Sequence, residues 1–82
     1  MLVRQINPVH LSGLTQALYV MRALVEGKTV YQIVDEFQGD RQLVGIWTSF
    51  LIENQWIERT KAGGFAATKE GREWFHKIGG GE

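Results

Sequence analysis

The sequence predicts a mainly α-helical domain with one small β-hairpin, in the order helix-helix-helix-hairpin-helix. Three observations predict it. Apolar residues recur at helical spacing in three successive stretches. Helix-start signals stand at Thr29 and Asp40. A paired-glycine turn, Gly63-Gly64, separates two short apolar segments.

The first helix carries Leu14, Ala17, Leu18, Met21, Leu24 and Val25 at i, i+3, i+4, i+7, i+10 and i+11, one apolar stripe of a 3.6-residue period. Ser12 is its expected N-cap. Gly27 stands at the C′ position, where glycine takes the left-handed conformation without steric cost. Tyr19 and Ala23 lie off that stripe. The second helix starts with Thr29-Val30-Tyr31-Gln32, which reads as a capping box. Val30, Ile33, Val34 and Phe37 form its apolar face, and Gly39 ends it. Asp40 caps a third helix in which Leu43, Ile46, Trp47, Phe50 and Leu51 face inward, and Asn54 ends it in the left-handed conformation. Residues 55–59 read as a strand, residues 61–64 as a turn, and residues 65–67 as the return strand. Thr68 caps a last helix through Ile78, with Trp74, Phe75 and Ile78 inward. Residues 1–11, in which Pro8 stops any helix, read as an arm, 12–78 as one domain, and 79–82 as a flexible tail.

Composition narrows the function. Of 82 residues 44% are apolar and 22% charged, which suits a folded domain rather than a disordered one. Nine basic and nine acidic residues cancel, so the chain lacks the basic excess of a strong nucleic-acid binder. The sum hides an asymmetry. Between 59 and 77 five basic residues (Arg59, Lys61, Lys69, Arg72, Lys77) face two acidic ones, so an anion-facing surface is expected there. No cysteine is present, which excludes a thiolate zinc site, and the two histidines, His10 and His76, stand in distant segments, so no His pair supports zinc. Neither Ser12, which reads as a cap, nor Ser49, which reads as helix surface, has a His in a nucleophilic arrangement, adjacent Asp35 and Glu36 diverge on a helix, and Gly63-Gly64 is not followed by the Lys-Ser/Thr of a phosphate loop. Neither an enzyme nor a cofactor is expected. No apolar run approaches the roughly 18 residues of a membrane span, and the first ten residues lack a signal-peptide pattern, so a cytoplasmic protein is expected.

The second helix (Thr29-Val30-Tyr31-Gln32-Ile33-Val34), the turn Gly39-Asp40-Arg41, the helix from Leu43 to Asn54 and the passage from Leu51 through Asn54 to Arg59 together resemble the winged helix-turn-helix family of DNA-binding proteins. Ala67-Thr68-Lys69-Glu70-Gly71-Arg72 resembles the segment that leaves the wing. One departure stands out: Asn54 and Gln55 occupy the break where family members often carry Gly. The likeness implies that the helix over 41–54 enters the major groove of duplex DNA while a basic hairpin holds the backbone. The face opposite the apolar stripe carries Arg41, Gln42, Gly45, Thr48 and Ser49. Arg41 suits guanine, Gln42 suits adenine, and Gly45 permits close approach. Arg59, Lys61 and Lys69 would hold phosphates, with Lys28, Thr29 and Tyr31 at the start of the second helix. A small transcriptional regulator is the implied role. Tyr19, Ala23 and the arm residues Leu2, Val3 and Ile6 are expected to form a homodimer patch. Two other readings remain open. One is a protein-binding winged helix, favoured by the zero net charge and an outward Ile52. The other is a nonspecific DNA coat.

Overall fold

A computed structural model describes residues 13–78. The expected order is present: α1 (Gly13–Val25), α2 (Val30–Glu36), α3 (Arg41–Glu53), β1 (Ile57–Arg59), β2 (Phe65–Ala67) and α4 (Lys69–Ile78). The Ser12 cap, the arm and the tail lie outside the described residues.

All three breaks after α1, α2 and α3 close in the same way. The chain enters the left-handed region, and two backbone N–H groups reach back to the last turn. After α1 the left-handed residue is Gly27 (φ 101°), as its chemistry predicts. Its N–H donates to Leu24 O, and Lys28 N–H donates to Ala23 O. After α2, Gln38 (φ 59°) takes that place ahead of Gly39 (φ 83°). After α3 the expectation for Asn54 is corrected. Asn54 keeps φ −85°, and its side-chain amide donates to Phe50 O at 2.8 Å. Gln55 takes φ 61° instead.

The starts are as expected. Thr29 Oγ1 accepts from Gln32 N–H at 3.1 Å, while Gln32 Oε1 accepts from Thr29 N–H at 2.9 Å. Asp40 Oδ1 accepts from Leu43 N–H, and Thr68 Oγ1 from Gly71 N–H. Loss of such a cap costs about 1 kcal/mol. Thr29→Ala is therefore expected to lower the melting temperature by roughly 4–8 °C, and Thr29→Ser to restore most of it, read by thermal circular dichroism.

The core lies where α1, α2 and α3 meet the hairpin. Val20, Leu24, Ile33, Phe37, Val44, Leu51 and Ile57 are buried there. Two helices are rotated from their expected faces. In α1, Leu14 and Val25 are exposed, and Val20 and Ala23 are buried in their place. In α3 the buried residues are Val44 and Leu51, seven apart, with Trp47 and Leu43 half-buried beside them. Ile46, expected inward, is 56% exposed. Trp47 is held by a bond from its indole N–H to Gln16 Oε1 (2.9 Å), and Gln16 lies on α1. That bond helps fix which way α3 turns.

β1 and β2 are antiparallel, pairing Ile57 with Ala67 and Arg59 with Phe65. Aromatic rings join α3 to the hairpin and α4. Phe50 meets Trp56 edge-on at 5.5 Å, and Trp56 stacks on Trp74 at 3.9 Å. All three tryptophans pack against the core, as expected.

Candidate nucleic-acid interface

The sequence-selected residues fall mainly around two hollows, one between the start of α2, α3 and the hairpin and one along the exposed face of α3. A cleft of about 360 Å³ runs between the start of α2, the side of α3 and the hairpin. Lys28, Thr29, Tyr31, Thr48 and Arg59 all line it, with Gly63 and Gly64 at the hairpin end. Four separate stretches of chain thus converge. Tyr31 is 85% exposed.

The hairpin residues are set by local chemistry. Gly63 sits at φ 91°, a turn that other residues adopt only with strain. Thr60 closes the turn: its N–H donates to Gly64 O at 3.0 Å, its carbonyl accepts Gly63 N–H at 3.1 Å, and its hydroxyl accepts Gly64 N–H at 3.1 Å. Lys61 is exposed on this turn. Arg59 lies over the ring of its cross-strand partner Phe65, 5.1 Å from the centroid. Stacking steers the guanidinium without neutralising it. Among the described residues the ion pairs are Arg22–Glu26 and Lys28–Glu36. Arg41, Arg59 and Lys61 belong to neither.

On α3 the outward face is centred on Gln42, Gly45 and Ser49, all exposed. Arg41 is exposed at the helix start. Asp40 beside it turns one carboxylate oxygen to its capping bond. Thr48 is a partial correction. It is half-buried at the margin of the face, and its hydroxyl donates to Val44 O at 2.8 Å. Ile46 joins the outward face, which sequence reasoning missed. A signal existed in the apolar Val44, whose burial turns the helix.

Two other residues sit differently from expectation. Lys69 lines a separate hollow with Glu58 and Glu70, away from the cleft. Lys28 is bound: its ammonium donates to Glu36 Oε2 at 2.6 Å, and Tyr19 Oη donates to Glu36 Oε1 at 2.7 Å. One member of the expected homodimer patch, Ala23, is also corrected. Ala23 is 4% exposed and belongs to the core, and the Tyr19 ring packs on Phe37. The arm residues of that patch lie outside the described residues.

The Tyr19–Glu36–Lys28 cluster is electrostatically tuned. Burial and the bond to Glu36 raise the Tyr19 pKa, and the bond to Glu36 raises that of Lys28. At Glu36 burial acts upward, but the bonds from Lys28 and Tyr19 and the Lys28 charge outweigh it, so its pKa falls below 4.5. A lowered carboxylate contributes stability that is complete above its unfolded value and is lost as pH drops through the folded one. Both side chains of the ion pair are about one-third exposed (37% and 32%), so the contribution is at most about 1 kcal/mol. Glu36→Gln is expected to lower the melting temperature at neutral pH, with the difference shrinking as pH is taken below 4.5. Melts across an acid pH series check this.

The helix order and the hairpin are compatible with a winged helix. Comparison with known proteins adds no relative: no family model, no curated protein and no solved structure matches the chain. Among the described residues, no helix is long and apolar enough to cross a membrane.

Proposed function

We propose that the chain is a winged helix-turn-helix domain that binds duplex DNA and acts as a small transcriptional regulator. The observation that carries the reading is the cleft: Arg59, outside the ion pairs of the described residues, and the start of α2 line it against Thr48 of α3, a helix whose exposed residues include Arg41, Gln42 and Ser49. In this reading the N-terminal half of α3 enters the major groove, where base edges present distinct donor and acceptor patterns. Arg59 and Lys61 hold the backbone, and phosphate contacts fix register. Glu53 lies twelve residues beyond Arg41, or about 18 Å along the helix, and so sits away from the inserted end. Glu36 is held by Lys28 and Tyr19, which reduces the repulsion it presents to phosphate.

Zero net charge limits long-range attraction, so binding has to come from the local cations. In this reading Arg41, at the first residue of α3, meets a phosphate rather than the guanine expected for it; with Arg59 and Lys61 that makes three phosphate contacts, a log–log salt slope of about −2.7, or roughly 40-fold weaker binding from about 50 to 200 mM salt. Anisotropy titration of labelled duplex across that range tests the reading. A flat salt response or no binding at low salt contradicts it.

One observation favours a second reading, a protein-binding winged helix. Ile46 and Ile52 are both exposed on α3. A protein partner would be insensitive to Arg59 and Lys61 but lost on Ile52→Asp.

A further inference from the structure

We propose that Ile46 reads thymine methyl groups in the major groove, beside Gln42 reading adenine, so that the domain selects A·T-rich duplex. This inference rests on the DNA reading above and names the sequence class it takes. Ile46 is 56% exposed, more than any other large apolar residue of α3. It lines a shallow groove along the outward face with Gln42, Gly45, Ser49, Phe50 and Glu53. Gly45 has open space where a side chain would stand, so a base edge can come close to the helix there.

The chemistry of that groove matches one kind of base pair. In the major groove adenine offers an acceptor and a donor that a side-chain amide engages in pairs, and thymine offers a methyl group that takes an apolar contact. Guanine is read by Arg or Lys, and the only cation on α3 is Arg41, at its first residue. Gln42 and Ile46 are one turn apart, with Cβ atoms about 5–6 Å apart. Successive base pairs rise about 3.4 Å, so the two side chains reach neighbouring or next-neighbouring pairs. An exposed apolar side chain between an amide and a hydroxyl gains by covering a methyl group and loses nothing to phosphate.

The experiment uses the full chain and three labelled duplexes of equal length: alternating A·T, the same duplex with deoxyuridine for thymidine, and alternating G·C. Binding is expected to be tightest to A·T. Uracil is expected to weaken it about fourfold for each methyl contact removed. Ile46→Ala is expected to bind the thymine and uracil duplexes equally and to keep its affinity for G·C. Because Ile46 is exposed, the variant should melt with the parent, which circular dichroism checks. If the parent binds thymine and uracil duplexes alike, yet with a steep salt response, the Ile46 inference is overturned and the DNA reading stands. Discrimination that survives Ile46→Ala overturns it as well. Failure to bind any duplex at low salt overturns both and favours a protein partner for the groove.

Discussion

Gly71→Ala is expected to destabilise the domain by about 3 kcal/mol or more, the upper end for overpacking. Gly71 is buried where α4 crosses the start of the hairpin. A Cβ on it would lie 1.9 Å from the Trp56 carbonyl oxygen and 2.8 Å from the carbonyl carbon. Those are backbone atoms, and the oxygen already accepts Thr68 N–H at 3.0 Å. Relief would push α4 away, break that bond and open the Trp56–Trp74 stack. A domain of this size holds only about 4–12 kcal/mol in total, so the melting temperature is expected to drop by more than roughly 12 °C. Near-ultraviolet circular dichroism would report the loss of the stacked indoles. A variant melting within a few degrees of the parent would mean that α4 does not pack against Trp56 in this way.

The second large effect concerns binding. Arg59→Ala with Lys61→Ala is expected to weaken duplex binding by roughly 100-fold at low salt, taking about 1.5 kcal/mol for each charged hydrogen bond to phosphate. The salt slope should fall toward about −0.9, the value for one remaining contact. Neither residue is in the core, so the double variant should fold normally. Loss of affinity with an unchanged slope would mean that the two side chains do not meet phosphate. Unchanged affinity would remove the hairpin from the interface.

Much of the fold is legible in the sequence because caps and turns are local chemistry. Thr29, Asp40, Gly27 and the Gly63-Gly64 turn each act through neighbours a few residues away, and each does what its type implies. Helix rotation is less legible. An apolar stripe over 43–51 can be drawn through Ile46 or through Val44, and spacing alone does not choose. Contact with α1, including the Trp47–Gln16 bond, is what buries Val44 and turns Ile46 outward. The same applies to Ala23, whose small side chain faces the core while Leu14 and Val25 do not. Gln38 and Gln55 in left-handed conformations carry no sequence signal, since non-glycine residues rarely adopt them. Gly71 reads in sequence only as a poor helix former, and its reason is the approach to Trp56 from another segment.

For the interface, residue types were legible but their partners were not. Arg59, Tyr31 and Thr29 could be chosen from the sequence as exposed polar groups beside a helix-turn-helix pattern. That they share one cleft depends on the register pairing Arg59 with Phe65 and on the turn that brings α2 alongside. Lys28 could not be seen to be held by Glu36, eight residues away, nor Lys69 to stand near Glu58. The cations left outside ion pairs on the α3 side are therefore fewer than the sequence count suggests. This is why the account rests on Arg41, Arg59 and Lys61 and expects a modest salt slope.

The central claim is that the outward face of α3 and the adjoining hairpin meet duplex DNA. Amide chemical-shift mapping of the labelled chain on addition of a short duplex tests it most directly. The account predicts shifts concentrated at Gln42, Gly45, Ile46, Ser49, Arg59 and Gly63, with α4 unperturbed. Shifts confined to α1 and α4, or none at saturating duplex in low salt, would contradict it.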